Sequence, residues 1–304
     1  MSAGVSPAVR YVDAAGVAAL GPAAAVDAIR EALRAGLDPA TDPARTAVEL
    51  ANGQFLLMPA QTPAMAGVKI VTVAPDNPRH GLPRIQGAYL LFDQETLTLQ
   101  AILDGTALTT LRTPAVSIAA VLDRLPRRAL RVAVVGAGPQ AVGHVATLAA
   151  VRPLEEATYV VRNPTRTDTK KLGSPQADET LRSADVIVCA TSARTPVFDP
   201  TLVRDDAVVI AVGSHEPDAR ELDAALLGRA AVVVEDVATA LREAGDVVLA
   251  IAEGAFEPAD LLPMRDVVTG ARTPPPERPL VFKSVGMAWQ DLVVAAAVLR
   301  HKGA

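Results

Sequence analysis

The run RVAVVGAGPQAVGHVATLAA, residues 131–150, decides how this chain is read. It opens as a short apolar strand, passes through Gly136-Ala137-Gly138-Pro139-Gln140-Ala141, and continues as a helix. The first glycine of such a loop permits the tight turn and the second lets backbone approach a pyrophosphate. Ala141 stands where a third glycine lets helix meet strand. Backbone N–H groups at the helix start then face the phosphates. Alone the pattern is weak, because a glycine turn in an α/β domain without a nucleotide reads the same way. Its setting adds weight: a strand before it, a helix after it, and a second strand about 20 residues on, as a dinucleotide fold requires.

That second strand ends in YVVRNPTR, residues 159–166. An NAD site places Asp or Glu at this tip to accept from the ribose 2′-OH. Here the tip carries Arg162, Asn163, Thr165 and Arg166. Two guanidiniums and no carboxylate suit a 2′-phosphate. The expected cofactor is therefore NADP(H), with NAD(H) as the alternative; an exposed basic turn is the competing reading of the same residues.

Outward from the loop, the β-branched runs RVAVV, ATYVV, DVIVCA, AVVIAV and AVVVED recur, separated by segments with room for helices. Such alternation implies a parallel sheet covered on both faces. Between the second and third runs the chain is polar, so the helix there is expected to be short. Upstream, Val26, Ile29 and Leu33 repeat at helical spacing. Strands follow, broken at Asn52-Gly53 and turned at Asp93 to Glu95, and a helix returns from Thr106. Past the proline-rich residues 269–279, one strand and a closing helix remain. The fold class expected is α/β. A Rossmann-type doubly wound parallel sheet occupies residues 116–272, and residues 1–115 with 273–304 form a second, α+β domain.

Composition narrows the function. At 304 residues, half of them apolar, the chain has room for one large or two modest domains. A net charge of −5 provides no basic stripe and argues against nucleic acid as a partner. The lone Cys189, in DVIVCATS, excludes a disulfide framework within the chain and fits a reducing compartment. The start MSAGVSPAVRYVDAAG lacks the charged head and apolar core of a signal peptide. No apolar run approaches the roughly 18 residues of a membrane span. A soluble, cytoplasmic protein is expected. No His/Cys/Asp grouping has ligand spacing, so no metal is expected.

Three cations merit attention. Lys69 lies mid-strand in AGVKIVTV, flanked by apolar residues, and buried lysines are rare without a partner or a task. Arg112, in TTLRTPAVS, lies on a helix entering the nucleotide domain, and Arg45 follows a proline-rich turn. Each alone reads as a surface or ion-pair residue; together they could bind a carboxylate, which Arg holds bidentately.

An ordered series of stretches then carries a resemblance: PARTAVEL, AGVKIVTVAPDNPRHGLPRIQGAYLLFD, LTTLRTPAVSIAA, VVGAGPQAVGH, VGSHEPDARELD, LREAGDV and FKSVGMAWQDL. Nearly end to end, the chain resembles the ornithine cyclodeaminase/mu-crystallin family. The resemblance implies a homodimer whose N- and C-terminal segments build the substrate-binding and dimerisation domain. It implies that Arg45, Lys69 and Arg112 hold a substrate α-carboxylate, with Lys69 also acting on the substrate nitrogen. It implies cofactor contacts at Thr113, Gly136, Ala137, Gly138, Pro139, Gln140, Arg162, Asn163, Arg166, Thr191, Gly213, Ser214 and Ser284.

Within that family the fold does not fix the chemistry. The cyclodeaminases typically read G-G-D-x-P-G-K-x-E-L-D in the loop that here reads Gly213-Ser214-His215-Glu216-Pro217-Asp218-Ala219-Arg220-Glu221-Leu222-Asp223. His215 falls at their catalytic Asp and Ala219 at their nucleotide-contacting Lys, and the acidic residue at the second strand tip is missing. These departures point to the branch of ketimine reductases, which reduce a cyclic C=N bearing a carboxylate to an L-amino acid such as proline. The alternatives are ornithine cyclodeamination with recycled NAD, and a non-catalytic protein that binds NADPH and a small ligand. For His215 three roles stand open: a substrate-side acid, a loop-filling residue, or a cofactor contact.

Overall fold

The computed structural model describes residues 8–301. The expectation about the first residues of the chain therefore concerns, over residues 1–7, a stretch outside the described part. Two compact units result: Met1–Thr113 with Met287–Ala304, and Pro114–Gly286.

The first unit is built on a six-stranded sheet. Strands β1 (Arg10–Val12), β2 (Thr46–Leu50), β3 (Gly53–Gln61), β4 (Met65–Val73), β5 (Ile85–Asp93) and β6 (Leu99–Asp104) lie in the order β1-β6-β5-β4-β3-β2. From β2 to β6 the pairing is antiparallel, and β1 joins β6 in parallel. The Asn52-Gly53 break is a hairpin: Gly53 has φ +144°, and a Cβ there would lie 2.1 Å from the Val73 carbonyl oxygen, so only glycine fits. Helix α1 (Ala14–Ala18) is capped by Asp13, whose carboxylate accepts from the Gly16 amide. Helix α2 (Pro22–Arg34) buries the expected Val26, Ile29 and Leu33, together with Ala25 and Arg30. Helix α3 (Gly105–Val121) leads out of the unit, and the division falls at Pro114, inside this helix.

The second unit is an eight-stranded, all-parallel sheet. Its strands are β7 (Leu130–Val135), β8 (Leu154–Val161), β9 (Thr169–Lys171), β10 (Val186–Cys189), β11 (Val208–Ala211), β12 (Ala231–Val234), β13 (Leu262–Pro263) and β14 (Leu280–Lys283). Their order is β13-β12-β14-β11-β10-β7-β8-β9. The connecting helices are α4 (Pro139–Val151), α5 (Pro175–Ser183), α6 (Ala224–Arg229), α7 (Val237–Glu243), α8 (Gly245–Ala252) and α9 (Met264–Thr269). Strands buried on both faces read as unbroken β-branched runs, and β10, β11, β12 and β14 are buried at every residue. Val135, Ile187, Val209, Val232 and Val281 meet in one core with Leu181, Leu222 and Leu227. Full burial of each such side chain contributes about 1.5–3 kcal/mol. A closing helix, α10 (Ala288–Arg300), returns to the first unit, where it packs on α2 and on β3, β4 and β5.

The boundary expected at residue 273 is corrected. β14 is an interior strand of the parallel sheet, paired with β11 on one side and β12 on the other. The proline-rich stretch before it is a connection within the second unit, and the chain leaves that unit only after Gly286. Proline content marked a connection but could not say between which strands.

Candidate active site

In the first unit, the middle of the sheet carries a buried charged group. Lys69 of β4 is in register with Met58 on one side and Tyr89 on the other, and α10 covers this part of the sheet. Its Nζ donates to Asp291 Oδ2 at 2.8 Å. Arg112 of α3 donates through Nε to Asp291 Oδ1 at 3.2 Å and through Nη1 to Gln290 Oε1 at 2.7 Å. Lys69 is 2% exposed, Arg112 6% and Asp291 0%. One carboxylate thus serves two cations in a dry interior, and a third, Arg45, acts electrostatically on Lys69. Burial first, then Arg112, bring the Lys69 pKa down; Asp291 opposes them, Arg45 adds to them, and the result is about 8. Excess positive charge there favours an anionic ligand, and guanidiniums grip carboxylates well. An ammonium titrating near neutrality is suited to donate a proton.

Beside this group, Tyr89 is fully buried and its hydroxyl has no partner, in the space that a Cβ on Gly67 would need. Burial, then Asp291 and Asp42, push its phenol well above the usual range. A buried donor left unpaired costs about 1–3 kcal/mol. Tyr89→Phe is therefore expected to leave stability unchanged or raise it by about 1 kcal/mol in denaturant unfolding. A loss of similar size would mean that the hydroxyl is bonded after all.

The second unit carries the cradle that the glycine loop announced. Gly136, at the end of β7, has φ +113°, and a Cβ on it would lie 2.5 Å from the Ala190 carbonyl oxygen. Gly138 caps α4 without a side-chain bond and faces open space, and Pro139 occupies the first turn, where its missing N–H is harmless. The free amides of that turn favour an anion. A cavity of about 650 Å³ runs beside the loop, lined by Gly136, Ala137, Arg162, Asn163, Thr191 and Arg194 among others, with no carboxylate among its lining residues. The Gln140 side-chain oxygen is buried without a partner. A pyrophosphate-bridged dinucleotide fits these residues: a tight glycine turn, an open second glycine, a helix start and a basic strand tip.

Other expected contacts lie differently. The Arg166 guanidinium is taken by Asp168, through Nε at 2.9 Å, and Arg166 does not line the cavity. The Ser214 hydroxyl donates to the Ala219 carbonyl of its own loop at 2.5 Å, and the Ser284 hydroxyl to Glu235 Oε1, just past β12, at 2.7 Å. Thr191 gives its hydroxyl to Glu221 Oε1 at 2.7 Å, yet still lines the cavity. Thr113 is buried on α3 beside Arg112. His215 is exposed in the loop after β11 and is not a cavity-lining residue. His80 ends an exposed 3₁₀ turn. His144 is fully buried between the Gln140 carbonyl and the Ser117 hydroxyl, and burial brings its pKa down to about 4, so it is a neutral packing residue.

Carboxylates that sequence reading passed over hold the loops at the carboxyl ends of the parallel strands. Glu221 accepts from the Thr191 amide and, through its other oxygen, from the Gly213 amide, each at 2.7 Å. Asp246 accepts from the Glu221 and Leu222 amides, both at 2.8 Å. Its second oxygen lies 2.9 Å from Lys283 Nζ, an ion pair without hydrogen-bond alignment, while the ammonium donates to the Ser214 carbonyl at 2.6 Å. Glu235 gathers Ser284 and the Val285 and Gly286 amides. Among the described residues no group of three or more His, Cys, Asp or Glu could hold a metal, and no helix is long and apolar enough to cross a membrane.

Residues 13–302 match the family model described as ornithine cyclodeaminase/mu-crystallin. The chain belongs to that family. Among ornithine cyclodeaminase/mu-crystallin proteins it is 34% identical over 272 residues to a Δ1-pyrroline-2-carboxylate reductase of Bacillus cereus, covering 83% of each chain. It is 35% identical over 269 residues to the ketimine reductase mu-crystallin of Rattus norvegicus, covering 84% of this chain and 83% of that one. The Δ1-pyrroline-2-carboxylate reductase of Thermococcus litoralis, solved with NADH and L-proline, superposes with a TM-score of 0.83 at 26% identity over 95% of this chain and 96% of its own. The family fold is accordingly α/β, with a parallel, Rossmann-like sheet.

Proposed function

We propose that this chain is an NADP(H)-preferring reductase of cyclic ketimine carboxylates of the Δ1-pyrroline-2-carboxylate type, forming an L-amino acid such as L-proline. The observation that carries the reading is a buried lysine with a pKa of about 8, paired with the Asp291 carboxylate that also holds Arg112, and under the influence of Arg45. The named activities of the two curated relatives, and the NADH and L-proline bound by the Thermococcus litoralis enzyme, support it. Bound NADPH would supply the hydride for the imine carbon. Lys69 holds a proton for the imine nitrogen, which makes the C=N a better acceptor. Arg112 and Arg45 grip the carboxylate and fix the ring's orientation, lowering the entropic barrier. Asp291 positions Lys69 and Arg112 together.

The preference for NADP(H) rests on Arg162 and Asn163 in a cavity whose lining has no carboxylate to receive a 2′-hydroxyl. Arg162→Asp is expected to shift the ratio of kcat/KM values toward NADH by about tenfold or more, since one charge-assisted hydrogen bond contributes about 1.5–3 kcal/mol. An unchanged ratio would remove Arg162 from cofactor choice. The same reading makes the chain a cytoplasmic homodimer. The buried, lone thiol of Cys189 is consistent with a reducing compartment. The edge strand β2, solvent-exposed at every residue including Val48 and Leu50, is consistent with a partner surface.

The test is direct: purified protein, NADPH and Δ1-pyrroline-2-carboxylate should lose reduced-nicotinamide absorbance and form proline. Ammonia and proline from ornithine with catalytic NAD would make it a cyclodeaminase instead. Tight NADPH binding without turnover of the five- or six-membered imine would make it a binding protein.

A further inference from the structure

A 2′-phosphate near neutral pH carries between one and two negative charges, and a single guanidinium balances it only in part. The strand tip carries two, but Arg166 is held by Asp168 and lies outside the cavity. The second guanidinium residue lining the cavity is one the sequence did not single out. Arg194 follows β10, in the loop that faces Arg162 and Asn163 around the same 650 Å³ space. Its Nη1 donates to Glu216 Oε2 at 2.6 Å and its Nη2 to Asp218 Oδ2 at 2.5 Å, both in the loop after β11. All three side chains are more than half exposed. Ion pairs so exposed contribute only about 0–1 kcal/mol, and another anion can replace them readily.

We infer that Arg194 is the second guanidinium that reads the 2′-phosphate, with Glu216 and Asp218 holding it in reserve until that phosphate arrives. With NADH the arginine stays on its two carboxylates and adds nothing. With NADPH it exchanges two exposed carboxylates for a phosphate that it meets bidentately together with Arg162. The charge balance of the cavity then selects the cofactor from both walls. The inference rests on the NADP(H) preference proposed above.

The experiment is a set of equilibrium titrations of NADPH and of NADH, followed by nicotinamide fluorescence, on the full-length protein. The variants are R162Q, R194Q, E216Q/D218N and the triple R194Q/E216Q/D218N. Loss of one charge-assisted bond predicts that R194Q weakens NADPH about tenfold or more and leaves NADH nearly unchanged. E216Q/D218N should tighten NADPH relative to NADH, and that gain should vanish in the triple variant, which isolates the coupling. R194Q acting alike on both cofactors, or a gain that survives without Arg194, would overturn the inference. If R162Q lowers the NADPH preference while R194Q does not, the Arg194 role fails and the cofactor reading stands. If the unsubstituted protein binds NADH at least as well as NADPH, both fail.

Discussion

Lys69→Met is expected to lower kcat for imine reduction by about 10²–10⁴-fold, the usual worth of a positioned general acid. NADPH binding should stay close to that of the unsubstituted protein. Methionine keeps the apolar stem in β4 and removes only the ammonium. Asp291 retains Arg112 at 3.2 Å, so the carboxylate is not stranded. A general-acid role concentrates the loss in kcat, whereas a role in carboxylate grip alone would raise KM with kcat preserved. Unchanged turnover would remove Lys69 from the mechanism.

Asp246→Ala is the substitution with the largest expected effect on stability. It strips the acceptor from the Glu221 and Leu222 amides and takes from Lys283, at 1% exposure, its direct ion-pair partner. Breaking a buried ion pair by removing one partner typically costs about 3–5 kcal/mol. The effect should extend to the cofactor: Glu221 anchors the Thr191 and Gly213 amides, and Thr191 lines the cavity. Denaturant unfolding and NADPH titration should therefore worsen together. A loss below about 1 kcal/mol would mean the network is replaceable by ordinary packing.

The two findings differ in how far the sequence foretold them. The glycine loop and the β-branched runs were legible because local pattern and tertiary role agree there: a parallel strand buried on both faces can only be apolar. Lys69 was legible by the same logic in reverse, as a charge inside an apolar strand. Lys283 in LVFKSV carries that signal too and was passed over, as were Asp246 in AGDVVLAIA and Asp291 in AWQDLVV. Their partners lie as far as 222 residues away along the chain, as Lys69 and Asp291 do, so no spacing rule connects them. Arg166 and Arg194 show the remaining gap. One arginine at the expected tip is neutralised by a neighbour two residues on, and another, outside any motif, lines the cavity. Which guanidinium lines the cavity is decided by where the fold carries each loop, and His215, chosen for its position in a motif, is exposed and apart from the cavity lining.

The central claim is that a buried, proton-donating lysine drives reduction of a cyclic imino acid. The measurement that bears on it most directly is the pH dependence of kcat/KM for Δ1-pyrroline-2-carboxylate with NADPH. Lys69 is in its acid form below its pKa and loses the proton as pH rises. The rate should therefore fall through about pH 8, well below the 10.5 of an ordinary lysine. Replacing Asp291 by asparagine removes the one influence that raises that pKa and should move the fall to lower pH. A rate that stays level past pH 10 and does not respond to Asp291→Asn, or no turnover of the imine at any pH, would contradict the account.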